Sequence, residues 1–147
     1  TILIAVIALV YIVNSIMGSI SSQFGFELSI EIILGYIFAP IAWLMGIPWS
    51  EAVISGELLG IKTTLNEFVA YPALAALESG ELSERSKLIT FYSLCGFANL
   101  SSVGILISGI TAMAPERKDD LIKVSFKALV GATLASCMTG LIVGIFI

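Results

Sequence analysis

Histidine is missing from the 147 residues altogether, and Lys and Arg together number only 7. Without imidazole the chain lacks the commonest metal ligand and the side chain that ordinarily titrates near neutral pH. Without a basic run, and with a net charge of −4, it offers nothing to a polyanion. Zinc and nucleic-acid functions are excluded together, and no metal ligand set is expected. Charged residues make up 12% of the sequence, against roughly 25% in a soluble domain. Cysteine is scarce as well. Cys95 and Cys137 each sit in an apolar segment, with neither the spacing of a metal site nor the density of a disulfide scaffold, and read as packing residues. The first residues, Thr1-Ile2-Leu3-Ile4, lack the basic start of a signal peptide and read as the interior of a helix, as in a piece of a longer chain.

What is present is apolar. Hydrophobic residues account for 58% of the chain and the mean hydropathy is +1.05. A bilayer span takes about 20 residues in a helix, and several stretches approach that length, so the expected class is an all-α membrane protein. Residues 1–18 are apolar except Asn14 and Ser15 and read as a spanning helix. Residues 18–25, rich in Gly and Ser, read as a flexible polar exit. Residues 28–47 carry Glu27 and Glu31 at one end, Pro40 in the middle, and Trp43 and Trp49 beyond, which favours a bent helix at the interface over a span. Residues 50–77 follow, with Ser50 as a candidate N-cap and Glu51 in the first turn.

This fourth segment divides into two arms of about 22 Å and about 15 Å, neither long enough to cross alone. Between them lies Gly60-Ile61-Lys62-Thr63-Thr64-Leu65-Asn66-Glu67-Phe68-Val69-Ala70-Tyr71. Two short arms meeting at Asn66 and Glu67 indicate a re-entrant helical hairpin, whose turn must be buried in protein or line water. An uncompensated carboxylate at that depth is costly, so Glu67 is the first candidate for function. Residues 78–85 read as a solvated loop without a functional role. Residues 88–113 read as a transmembrane helix interrupted at 96–102, and broken helices are where transporters hold substrates and ions. Residues 115–120 form the next loop and 121–147 the last helix. Basic residues cluster at Arg117, Lys118, Lys123 and Lys127, which puts 115–120 in the cytoplasm and has the hairpin open from the outer side. Gly140 and Gly144 make a small-xxx-small pair suited to close helix packing, within the chain or between subunits.

The twelve residues 60–71 resemble the signature of the concentrative nucleoside transporter family, Gly-x-Lys-x-x-x-Asn-Glu-Phe-Val-Ala-aromatic, at the tip of its re-entrant hairpin. A second block, Gly96-Phe97-Ala98-Asn99-Leu100-Ser101-Ser102, resembles the family's interrupted helix. The resemblance runs from about residue 30 onward and implies that the chain is the C-terminal portion of a transporter at least about twice as long. It implies ion-coupled secondary transport of nucleosides into the cell, driven by sodium or protons, with no covalently bound cofactor. The coupling-ion ligands are then expected in the N-terminal half, outside this chain, although Glu67 could itself carry a proton. It further implies a multi-pass protein of the plasma membrane (the inner membrane in a bacterium), surrounded by membrane lipid and assembled as a homotrimer.

The resemblance also names site residues. Glu67, Asn99 and Ser102 are implied to contact the ribose, and Phe97 to lie beside the substrate. The chemistry agrees: vicinal ribose hydroxyls are donors suited to a carboxylate with two acceptor oxygens. Asn99 and Ser102, at i and i+3, share a face if the chain is helical there. Phe97 is equally well explained by packing. Asn66 and Lys62 are supporting residues, the first capping freed backbone groups and the second neutralising a carboxylate or carbonyl ends; local pairing alone explains either. The alternative function is a channel or scaffold module in which Glu67 lines water without binding a solute. An enzyme is not expected, since Glu67 has no His, Cys-His pair or second acid near it in sequence.

Overall fold

The computed structural model describes residues 2–25 and 28–147, among which there are seven α-helices and no strand. Glu27, read above as part of an interfacial end, lies outside the described residues. Helix α1 runs Ile2–Ser21 and ends in a 3-10 turn, Ser22–Phe24, closed by Gly25 at φ 77°. The helix thus continues through much of the stretch expected to be a flexible exit. Its serines turn their hydroxyls back on the helix: Ser19 Oγ donates to Ser15 O at 2.8 Å and Ser22 Oγ to Ser19 O at 3.1 Å, so they need no partner outside it.

Helix α2, Ile30–Leu44, is capped by Ser29, whose hydroxyl accepts from Ile32 N at 3.2 Å. Pro40 lies inside it and does not end it. Helix α3, Trp49–Thr64, packs antiparallel on α2 through glycines. A Cβ at Gly56 would collide with Gly35 O and come within 3.0 Å of Ala39 N; one at Gly60 would lie 2.7 Å from Leu34 Cβ. Ser50 is not the N-cap. The cap position is Pro48, whose φ of −56° suits helix entry, and Glu51 N bonds Pro48 O at 2.9 Å, which leaves Ser50 within the first turn.

Helix α4 runs Glu67–Ala76 and α5 Glu84–Leu94. Glu51 Oε2 accepts from Ser83 N at 3.3 Å and Ser83 Oγ at 3.0 Å, so the start of α3 and the chain just beyond α4 meet. Helices α3 and α4 therefore make a hairpin with Leu65 and Asn66 at its tip. Helix α5 runs beside α3, tied by Thr90 Oγ1 to Ser55 Oγ at 3.0 Å. Residues 95–99 are non-helical, and α6, Leu100–Met113, follows. Leu100, Ser101 and Ser102, expected within the interruption, are thus already helical, because Asn99 caps them.

A 3-10 turn, Pro115–Arg117, leads directly into α7, Lys118–Phe146, so the expected loop at 115–120 is largely helical. Residues 115–146 are, among those described, the one helical stretch long and apolar enough to cross a membrane by length and composition. Helix α7 packs antiparallel on α5, where a Cβ at Gly144 would lie 2.9 Å from Ile89 Cδ1 and one at Gly140 would meet Ser93 and Ile89. The small-residue pair serves packing inside the chain. The core joins α2 to α5, with Ala42, Leu59, Ala70, Ile89 and Leu94 almost fully buried. Outward, α1, α6 and α7 present Tyr11, Leu106, Phe126 and Met138, an apolar exterior that suits lipid rather than water.

Candidate functional site

The two polar blocks of the sequence meet where the hairpin tip touches the start of α6. Asn66 and Asn99 are both N-caps with extended backbone: Asn66 Oδ1 accepts from Val69 N at 3.1 Å, and Asn99 Oδ1 from Ser102 N at 2.7 Å. Capping of this kind is worth about 1 kcal/mol per helix and aims two helix N-termini, each with partial positive charge, at one place. Glu67 is the first residue of α4 and is 6% exposed. Its Oε2 accepts from Asn99 Nδ2 at 2.9 Å.

Asn99 is held from both sides. Its Oδ1 also accepts from Ser102 Oγ at 2.9 Å, so the carboxamide is oriented with Nδ2 toward Glu67. Glu67, Asn99 and Ser102 form one hydrogen-bonded chain, Ser102 donating to Asn99 and Asn99 to Glu67. Glu67 Oε1 takes no protein donor among the described residues, which leaves it open to one from a solute. Phe97 stands apart from that chain. It is 71% exposed and, with Ser102, lines an apolar cleft of about 250 Å³ between α6 and α7 that includes Leu106 and Leu129.

Lys62 is fully buried, and its Nζ donates to Ser93 O at 3.1 Å. It therefore meets a carbonyl at the C-terminal end of α5, one of the two partners expected for it. Sequence reasoning missed Ser101, whose Oγ donates to Leu65 O at 3.3 Å and binds the start of α6 to the hairpin tip. It missed Asn14 too, whose Nδ2 donates to Glu31 Oε2 at 2.8 Å while its Oδ1 accepts from Ile30 N at 2.9 Å. Arg85, assigned to a solvated loop, lies in α5 and donates from Nη1 to Gly46 O at 2.5 Å and from Nη2 to Gly144 O at 2.7 Å. A polar residue within a long apolar run was the only available signal for Asn14; for Arg85 there was none.

Residues 1–144 match the family described as "Na+ dependent nucleoside transporter C-terminus". The chain belongs to that family. It is 42% identical over 146 residues to an uncharacterized transporter of Bacillus subtilis, YutK, covering 99% of this chain and 36% of that protein. It is 46% identical over 125 residues to the nucleoside permease NupC of Helicobacter pylori, covering 82% of this chain and 30% of the permease. Mouse solute carrier family 28 member 3 is 42% identical over 158 residues, covering 97% of this chain and 22% of the carrier. The chain thus spans about a third or less of the relatives' length. In fold it is similar to CNTnw in an inward-facing substrate-bound state, with a TM-score of 0.86 at 41% identity, over 99% of this chain and 36% of that one. An intermediate state of CNTnw gives 0.91 at the same identity, over 99% of this chain and 37% of that one. The family consists of integral membrane transporters, so no catalytic activity is indicated, and the reading as a channel or scaffold module is not favoured.

Proposed function

We propose that this chain supplies the ribose-recognition half of a nucleoside site in an ion-coupled secondary transporter that carries nucleosides into the cell. The observation that supports it most is the hydrogen bond from Asn99 to Glu67, which joins two sequence blocks 32 residues apart at converging helix N-termini. Glu67 Oε1 accepts one ribose hydroxyl, and the Ser102 hydroxyl offers its remaining lone pairs to a second. Phe97 bounds the base or sugar on its apolar side. A deoxy analogue leaves a desolvated carboxylate oxygen without its donor, which is the most discriminating kind of mismatch.

On this reading helices α3 and α4 are a re-entrant hairpin, and α5 with α6 a single interrupted span whose break lies at the depth of the substrate. Helix α2 lies at the interface, where Trp43 and Trp49 anchor it; both are more than half exposed. Residues 115–120 face the cytoplasm. Coupling to sodium accords with the family description, and proton coupling through Glu67 is distinguished from it by uptake in choline medium across pH. The remainder of the transporter provides the base contacts and the ion ligands, and three copies assemble in the membrane.

The test is uptake of radiolabelled uridine and adenosine by cells expressing the transporter that contains this chain, wild type and Glu67→Gln. An amide keeps the shape but presents one acceptor where the carboxylate presents two, so uptake is expected to fall to near background at normal membrane expression. Wild-type uptake by the variant would remove Glu67 from substrate recognition.

A further inference from the structure

Lys62 is the largest side chain in the described structure with essentially no exposed surface. Its ammonium lies where three elements close on it. Helix α3 carries it in its last turn, α5 ends beside it, and α7 covers the non-helical link. At Gly96 in that link, a Cβ would stand 3.7 Å from Lys62 Nζ and collide with Ser136 Oγ of α7, so the backbone passes the ammonium with no room for a side chain. Among the described residues Lys62 forms no ion pair; the pairs present join Lys87 to Glu84 and Arg117 to Asp120. Its polar partner is the carbonyl of Ser93, in the last turn of α5.

A buried, unpaired charge is among the costliest groups a fold can hold, and a residue of similar volume without charge would fill the same space at less cost. What compensates this one is a helix C-terminus: carbonyls there lack intrahelical donors and carry the negative end of the helix dipole. That is the environment in which discontinuous membrane helices coordinate a coupling cation. We propose that Lys62 is a built-in cation, its ammonium occupying at the break between α5 and α6 the place of a bound ion, so that this part of the transporter holds its helix break without taking up an ion of its own. The proposal rests on the transporter reading above. Lys62 acts as a positioning residue: through Ser93 and residues 95–99 it fixes where α6 begins, and so where Asn99 meets Glu67.

The experiment compares wild type, Lys62→Ala and Lys62→Met in the complete transporter, by uptake in proteoliposomes and by thermal melting in detergent. Each is run in the same sodium and proton gradients, supplemented with equal choline chloride or n-propylammonium chloride; the three carbons and ammonium of the latter replace what Lys62→Ala removes. Lys62→Ala is expected to lose uptake by at least about tenfold, the ratio that corresponds to 1.4 kcal/mol. Propylammonium should recover much of that loss and raise the melting temperature, while wild type is unmoved by the exchange. Lys62→Met, which keeps the volume without the charge, should lose uptake and gain nothing from the amine. Uptake by Lys62→Met equal to wild type would overturn the proposal, and that variant decides the matter if Lys62→Ala is not recovered from membranes. So would a Lys62→Ala protein that inserts normally and responds to neither salt. Should wild type carry no nucleoside, the transport reading fails and the melting temperatures decide alone: stabilisation of Lys62→Ala by the amine, absent in wild type, supports the built-in cation, and no difference overturns it.

Discussion

Asn99 takes part in three side-chain hydrogen bonds, to Ser102 N, Ser102 Oγ and Glu67 Oε2, and so joins the capping of α6 to the binding role proposed for it. The two can be separated. Asn99→Ser keeps a capping oxygen at the start of α6 but has no amide to donate to Glu67, so the melting temperature should fall less than for Asn99→Ala, which loses the cap as well. Binding of ribonucleosides should weaken by about 1–3 kcal/mol, because Glu67 loses a donor in a buried site. Calorimetry on the transporter beside a thermal melt checks both; an equal loss for ribonucleosides and for analogues without the ribose hydroxyls would mean that Asn99 only shapes the break. Ser102→Ala should likewise penalise ribonucleosides more than those analogues. At this scale Glu67, Asn66 and Lys62 were legible because a polar group within an apolar run stands out before any contact is known. Ser101 was not, since its partner Leu65 lies 36 residues away and a serine beside another serine carries no signal of its own. The Arg85 clamp was hidden for the same reason, its acceptors being backbone carbonyls at Gly46 and Gly144.

Helices α2 and α3 approach as closely as they do because Gly35, Gly56 and Gly60 remove side chains from the crossing. Gly56→Val should therefore force the pair apart and destabilise the transporter by about 1–3 kcal/mol, the usual cost of overpacking. Gly131→Ala in α7, where a Cβ meets nothing within 4 Å, should be neutral or slightly stabilising, since Ala is the better helix former. Melting temperatures of the two variants in detergent check the contrast, and a neutral Gly56→Val would mean that the crossing is looser than described. The sequence pointed to Gly140 and Gly144, which lie in an apolar run; the same spacing at Gly56 and Gly60 was missed because Glu57 between them breaks the apolar pattern. Helix existence was readable from the length of apolar stretches and from breaker residues. Boundaries were less so: caps decide them, and Ser29, Ser83 and Asn99 act as caps through backbone groups whose positions only the fold supplies.

At the scale of the molecule, the chain accounts for about a third of its bacterial relatives, and on the proposed function α4 and α6 supply the ribose end of a site that the remainder of the transporter completes. Residues 1–147 purified alone should show no nucleoside binding by calorimetry at micromolar concentrations and no uptake in liposomes, and both should return when the rest of the transporter is co-expressed. Each 1.4 kcal/mol of absent contact costs tenfold in affinity. Saturable uptake by the 147 residues alone would show the site to be complete without the rest of the transporter. The most direct measurement compares uridine with 2′,3′-dideoxyuridine by calorimetry on the intact transporter, wild type and Glu67→Gln. Wild type should bind uridine more tightly than the dideoxy analogue by at least about tenfold, the effect of one charge-assisted hydrogen bond, and Glu67→Gln should narrow that gap to what the Ser102 contact alone provides. A Glu67→Gln protein that still discriminates as wild type does would contradict ribose recognition by Glu67.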